Sequence, residues 1–253
     1  MLGLTKDATE LDWILAQAKC PILFYDKNQV VGPSGITNEM LKNTVNSSFH
    51  DRMITYYTLL TQMRVKGGND YIDYIKGLLN NRVPEKKKFD NYEFKIIDSF
   101  DDFENLLIEK NNKIGLSRMV AGYAWPWISK KDKSKKDIII ENSERMWNNK
   151  TENWVHCDTA IDEVGCIHSV QGYDLNYAFV ILGNDIGYDK NTKKIVVNKN
   201  NYFDQKGKAS ASDEELKAFI INIYYVLMTR GIRGTFLYIC NPELKEYLKK
   251  YVD

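Results

Sequence analysis

The sequence predicts an α/β fold in which a mostly parallel sheet is covered by helices on both faces. Strand-like and helix-like segments alternate along most of the chain, the pattern of such sheets. The run "CPILFYD" at 20–26 is apolar and ends in an acid, as a buried parallel strand does. A strand, helix, strand unit of about 30 residues, from "YEFKIID" to "KIGLSRMVAGY", requires a parallel pairing with a right-handed crossover.

In chain order, "LDWILAQAK" reads as a short helix, followed by the strand at 20–26 and a Gly, Pro and Ser-containing loop, "NQVVGPSGIT". Residues 51–80 read as helix with a break at Gly67 and Gly68. In the crossover unit, Ser99 caps a helix whose first turn holds Asp101 and Asp102, where carboxylates favour the helix dipole. Residues 130–160 form a polar excursion with Trp147, Trp154 and a short strand, "DIII". The strands "VGCIH" and "YAFVIL" follow, then a hairpin near 186–203 whose turn holds Asn191 and Thr192. Ser212 and Glu215 form a capping box for the strongest helix, with Leu216, Phe219, Ile220, Ile223 and Leu227 at helical spacing, ending at Gly231. "TFLYIC" is a last strand, and Asn241 with Pro242 starts a last helix.

The 253 residues, 43% apolar and 27% charged, suffice for one large globular domain, or one with an insertion. No apolar run reaches membrane-spanning length and no secretory signal opens the chain, so a soluble cytoplasmic protein without membrane attachment is expected. Cys20, Cys157, Cys166 and Cys240 are widely spaced, which indicates reduced thiols and no zinc or other metal site. With 35 basic and 34 acidic residues, net charge alone does not draw the chain to a polyanion. Local lysine patches at 85–88 ("EKKK") and 129–136 ("SKKDKSKK") are solvated loops or phosphate-backbone contacts.

Ligands of parallel sheets bind beyond the carboxyl ends of strands. The polar residues expected there are Asp26 to Gln29, His168 to Asp174 and Arg118, with Arg230 and Arg233 around the turn into "TFLYIC". Arginines with carboxylates and a glutamine suit a polyphosphate. No GxxxxGK[ST] loop accompanies them, and "GNDIGYDK" has the wrong spacing.

The order and content of "FYDKNQ", "TQMR", "GLSRMVAGYAWPW", "GCIHSVQGYDLNYAFVILG" and "NIYYVLMTRGIRGTFLYI" resemble the later motifs of superfamily-one helicases. More narrowly, the chain resembles the Schlafen-like DNA/RNA helicase domain family of bacterial P-loop ATPases from about residue 20 onward. The resemblance implies a RecA-like fold, with 1–50 the end of a first lobe including motif III and 51–253 a second lobe. It implies ATP and Mg²⁺ as cofactors of the intact protein and single-stranded nucleic acid as partner. Gln29 then matches the motif III glutamine that senses the γ-phosphate, Arg64 the motif IV arginine, and Gln171 and Gly172 motif V. Arg230 matches the motif VI arginine finger, with Arg233 assisting it or anchoring the turn. Asp174 stands where related helicases often carry a Glu near the nucleotide sugar. Arg118, Trp125 and His168 fall on the nucleic-acid side, although Arg118 also suits the nucleotide. The aromatics Tyr123, Trp125 and Trp127 suit base stacking, core packing or a lid over adenine.

The family's Walker A loop and Walker B strand are both missing. The resemblance therefore implies a chain that works with a separate Walker-containing lobe, binds no cofactor tightly and hydrolyses ATP poorly alone. The purely structural alternatives are a helix-end cation for Arg230, a loop hydrogen bond for Gln29, a structural histidine for His168 in place of a strand contact or general base, and packing for Tyr173 and Tyr177. The competing functional class is a non-catalytic binding or regulatory lobe of a defence-type nuclease-helicase.

Overall fold

The computed structural model describes residues 8–48, 53–82, 85–150 and 152–253. Helix α1 (Glu10–Gln17) starts at a capping box in which Thr9 and Asp12 exchange hydrogen bonds. A 3-10 turn at Lys27–Gln29 and helix α2 (Asn38–Ser48) follow. Helix α3 (Gly68–Leu79) leads to β1 (Glu93–Ile96), and α4 (Phe100–Ile114) leads to β2 (Ser117–Ala121). A small antiparallel pair, β3 (Ile138–Ile140) and β4 (Ser143–Arg145), stands apart from the main sheet. Then come β5 (Val164–Gly165), the single-turn α5 (Ile167–Val170) and the long β6 (Leu175–Leu182). The hairpin β7 (Ile186–Asp189) and β8 (Lys194–Val197) precedes α6 (Gln205–Ser210), α7 (Asp213–Met228), β9 (Gly231–Ile239) and α8 (Pro242–Leu248).

The main sheet is parallel, with strand order β1-β9-β6-β2-β5. Period-two alternation divides its side chains between two cores. On β6, Ala178, Val180 and Leu182 join α3, α7 and α8, whereas Tyr177, Phe179 and Ile181 join Phe100, Phe103 and Leu107 of α4 with Trp147 of the excursion. Helices thus cover both faces, and the whole is an α/β RecA-like arrangement. The caps read from sequence are formed: Ser99 accepts from Asp102 N–H, Ser212 and Glu215 close their box, and Asn241 accepts from Leu244 N–H. No helix among the described residues is long and apolar enough to cross a membrane.

Four expectations are corrected. The run 20–26 joins no sheet; Ile22 is 79% and Phe24 85% exposed, because no strand among the described residues lies beside it to pair or bury it. The helix expected at 51–80 is confined to α3, positions 51 and 52 lying outside the described residues. Residues 53–64 have helical apolar spacing but no surface to bury it against, and side chains claim their backbone. Gln62 Oε1 accepts from the N–H groups of Arg64 and Val65, and Asn69 bonds Gln62 N–H and the Leu60 carbonyl. The strand "VGCIH" shrinks to β5, since Ser169 Oγ accepts from Cys166 N–H and draws the rest into α5. Finally, β1 and β2 are parallel but not paired; β9 and β6 lie between them, because these long apolar strands take the doubly covered centre.

One buried group gives the fold a pH signature. Asp185, just past β6, is 1% exposed and accepts a hydrogen bond from Tyr224 Oη, which itself accepts from Gly183 N–H. Desolvation pushes its carboxyl up to about 7, against an ordinary 3.8. A raised folded value means that Asp185 contributes full stability below about pH 4 and loses it as pH rises to about 7, about 4 kcal/mol across that window. Asp185→Asn is expected to flatten the fall in Tm between about pH 4 and pH 7. Melting curves with equal slopes for both proteins would contradict this.

Candidate functional site

The side chains that converge do so at the amino ends of β6 and β9, not at the carboxyl ends expected from sequence. The chain returns from β5 through α5 in so few residues that Gln171 to Asp174 are delivered to the start of β6. Helix α7 likewise ends where β9 begins, and Leu175 N–H donates to the Arg230 carbonyl (3.1 Å), fastening the two strand starts together.

Arg230 stands on that junction. The last carbonyls of α7 are already occupied: Thr229 Oγ1 donates to those of Tyr225 and Val226, and Tyr71 Oη and Thr235 Oγ1 donate to that of Met228. The Arg230 side chain, 2% exposed, keeps one hydrogen bond, Nε donating to the Val226 carbonyl at 3.2 Å, and forms no ion pair among the described residues. Desolvation, and then the positive field of Arg64, push its guanidinium down to about 10. Arg64 is brought over by the Gln62-braced segment, whose Lys66 N–H donates to the Ile232 carbonyl. Its Nε forms an ion pair with Asp174 Oδ1.

Asp174 and Gln171 are set by a turn through Gly172, whose φ of +93° favours glycine. Gln171 Nε2 donates to the Gln29 carbonyl at 3.4 Å. Gln29 lies on the 3-10 turn, where the Asp26 carboxylate accepts from Asn28 N–H and Gln29 Nε2. Asn222 of α7 fastens that turn by donating to the carbonyls of Val30 (2.8 Å) and Lys27. Six residues singled out from sequence, Gln29, Arg64, Gln171, Gly172, Asp174 and Arg230, therefore share one edge. Asp26, Gln62 and Asn222 support them. Of these Asn222 is legible in sequence only as a polar residue inside the apolar α7, and Gln62 only as part of "TQMR".

Arg233 is not in this cluster. Between the pairs Leu175/Gly231 and Tyr177/Gly234 the β6–β9 register shifts, leaving an extra residue on β9. Such a bulge re-aims side chains. Arg233 faces instead a neighbouring hollow lined by Lys66, Asn91 and Tyr177, with Nε buried and without a hydrogen-bond partner. It lies within β9 and not in a turn.

Arg118, Trp125 and His168 also lie elsewhere. Arg118 is buried on β2, where Nε donates to the Val155 carbonyl (2.9 Å) and Nη1 to Asn111 Oδ1 (2.9 Å) and the Ser117 carbonyl (2.8 Å). It ties the excursion to α4. Trp125 is half-buried, its ring so close to Gly183 that a Cβ there would stand 3.0 Å away. His168 is exposed on α5, edge-on to Tyr123.

The amino-edge cluster is chemically suited to an anion. Arg64 is paired with Asp174 while Arg230 has no ion-pair partner among the described residues, so a cation is left over in a desolvated position. Phosphate oxygens fit such a pair. No group of three His, Cys, Asp or Glu among the described residues could hold a metal ion.

The family described as Schlafen group 3, DNA/RNA helicase domain matches residues 4–241. The chain is also 30% identical over 287 aligned positions to Uncharacterized protein YPL245W of Saccharomyces cerevisiae. That alignment covers 98% of this chain and 62% of the relative, so the chain spans less than two thirds of the relative's length.

Proposed function

The chain belongs to the Schlafen group 3, DNA/RNA helicase domain family, and on that premise we propose that it is the second RecA-like lobe of a nucleic-acid-dependent ATPase. In this reading the amino-edge cluster is half of the nucleotide site. The other half belongs to a Walker-bearing lobe, since neither Walker motif occurs in this sequence. The chain alone is read as non-hydrolysing.

The observation that carries the reading is the buried, unneutralised Arg230 beside Arg64, two arginines 166 positions apart in sequence (230 minus 64) of which only Arg64 is ion-paired, with Asp174. A guanidinium kept from water without a carboxylate costs stability, and the cost is recovered when an anion arrives. ATP supplies the phosphoanhydride whose terminal phosphoryl group that anion would be. Arg230 and Arg64 stabilise charge on it only when two lobes close, which ties turnover to lobe movement. Gln29, bonded to Gln171 through its carbonyl and braced on α7, holds the sensing turn in register with that charge.

The exposed apolar runs support a partner lobe. Ile22, Phe24, Tyr57, Leu59 and Leu60 stand in solvent on segments that would otherwise be expected in a core. Single-stranded DNA or RNA is the proposed track.

The test is strand-stimulated ATP hydrolysis by the chain combined with a Walker-bearing lobe. Gln29→Ala is expected to lower turnover by about 10²-fold, the usual loss when one positioned donor goes, with little change in Tm. Turnover unaltered by both Gln29→Ala and Arg230→Ala would sink the assignment.

A further inference from the structure

We propose that the lysine loop between Ser129 and Asp137 is a second nucleic-acid contact, a docking site for a phosphodiester backbone on the edge of the sheet opposite the arginine cluster. The proposal rests on the nucleic-acid reading above and adds a separate surface to it.

Charge is the first observation. Lys130, Lys131, Lys133, Lys135 and Lys136 against Asp132 leave five minus one, or +4, in a chain whose formal net charge is +1, so the remainder sums to −3. All five lysines are exposed, and among the described residues none forms an ion pair. Elsewhere some surface lysines are matched, as Lys87 is by Asp70, Lys190 by Glu246 and Lys249 by Asp98, and others, Lys113, Lys193 and Lys217 among them, form no ion pair among the described residues; what sets the loop apart is the density of its five cations within seven positions. The one acid within the loop, Asp132, is exposed and is engaged by Ser134, whose N–H (3.0 Å) and hydroxyl (2.6 Å) both donate to Asp132 Oδ1.

Construction is the second. A solvated charge run has no need of a fixed shape, yet this loop is stapled at its base by a buried carboxylate. Asp137, 5% exposed, accepts from Ser129 N–H (2.7 Å), Ser129 Oγ (2.6 Å) and Trp147 N–H (2.8 Å). Successive turns, Lys131 N–H to the Ile128 carbonyl and Lys135 N–H to the Asp132 carbonyl, fold the chain between. Lys133 Nζ donates to Asn149 Oδ1, and Lys130 Nζ lies 4.8 Å from the centre of the Trp127 ring. Trp127 packs edge-on against Trp147, so the half-exposed indole is fixed beside the cations.

Position is the third. The loop follows the carboxyl end of β2, whereas Arg230 and Asp174 stand at the amino ends of β9 and β6. The eight residues of β6 separate the two edges by about 25 Å at the usual rise per residue. A single phosphate group cannot engage both. Closely spaced ammonium groups with no acidic partners bind polyanions by releasing counterions, and an adjoining fixed indole offers a face to a base.

The test measures binding of the 253-residue chain to a labelled single strand and to the matching duplex by fluorescence anisotropy, over a series of salt concentrations. Replacing Lys131, Lys133, Lys135 and Lys136 with Ala is expected to weaken binding by at least about tenfold at low salt. It should also reduce the salt slope by about 0.9 for each phosphate no longer neutralised on duplex, or about 0.7 on single strand. The matching four Lys→Arg changes should retain both. If the chain binds nucleic acid and the alanine variant does so with unchanged affinity and slope, the loop proposal fails and the nucleic-acid reading stands. If the chain binds neither probe even at low salt, both fail. Loop-dependent binding to phosphatidylserine–phosphatidylcholine vesicles, without loop-dependent binding to either oligonucleotide, would assign the loop to a lipid surface and overturn the proposal.

Discussion

On the proposed reading, Arg230→Ala is expected to lower strand-stimulated ATP turnover by the chain combined with a Walker-bearing lobe by about 10³-fold or more, the range for removal of an arginine that stabilises a transferring phosphoryl group. Stability should respond in the opposite sense. The guanidinium is buried without an ion pair among the described residues and is held down to about 10, so folding works against its charge. At 1.36 kcal/mol for each unit below the ordinary 12.5, the penalty is about 3 kcal/mol. Arg230→Met, which keeps the volume of the stem, should therefore melt at or above the wild-type temperature while losing turnover as the alanine variant does. If Arg230 served only to finish α7, Tm would fall in both variants and turnover would follow the folded fraction. Differential scanning calorimetry beside the ATPase assay separates the two outcomes.

Gly231→Ala is expected to be among the most damaging Gly→Ala changes at the described glycines. A Cβ on Gly231 would stand 2.1 Å from the Gly234 carbonyl oxygen and 3.2 Å from the Ala178 nitrogen, both backbone atoms of the paired central strands. No side chain can turn away to make room, so β9 must shift along the bulge that sets Arg230 and Arg233 on different sides of the edge. The cost should reach the upper part of the overpacking range, about 3 kcal/mol, or a fall in Tm of about 10 °C for a chain of this size. Gly172→Ala is the contrast. Its φ of +93° is unfavourable to alanine, but no atom lies within 4 Å of the added methyl, so the loss should be confined to about 1 kcal/mol of backbone strain. Equal melting temperatures for the two variants would refute the assignment of the larger loss to backbone crowding.

Local signals are legible where the physics is local. The caps at Ser99, Ser212 and Asn241 need only side chains within a few residues, and each forms as read. The hairpin at β7–β8 and the apolar stripe of α7 likewise follow from turn chemistry and helical spacing. The runs at 20–26 and 53–64 mislead because apolar spacing specifies an element only when a surface exists to receive it. Arg118 shows the same limit. An arginine at a strand end reads as a ligand contact, and only tertiary packing shows that its guanidinium is buried and bonded to three acceptors, the Val155 and Ser117 carbonyls and Asn111 Oδ1.

The sequence by itself determined the alternation of strands and helices, the family to which the chain belongs, and the residue types of the arginine-bearing edge. Tertiary structure alone decided which of those residues meet. Strand order brings β6 and β9 side by side, the short return through α5 delivers Gln171 to Asp174 to the amino edge, and one bulge separates Arg233 from Arg230. The physical reason is range. Caps and periodicities act between residues a few positions apart, whereas the pairing of Arg64 with Asp174, 110 positions later, exists only after the sheet has closed between them.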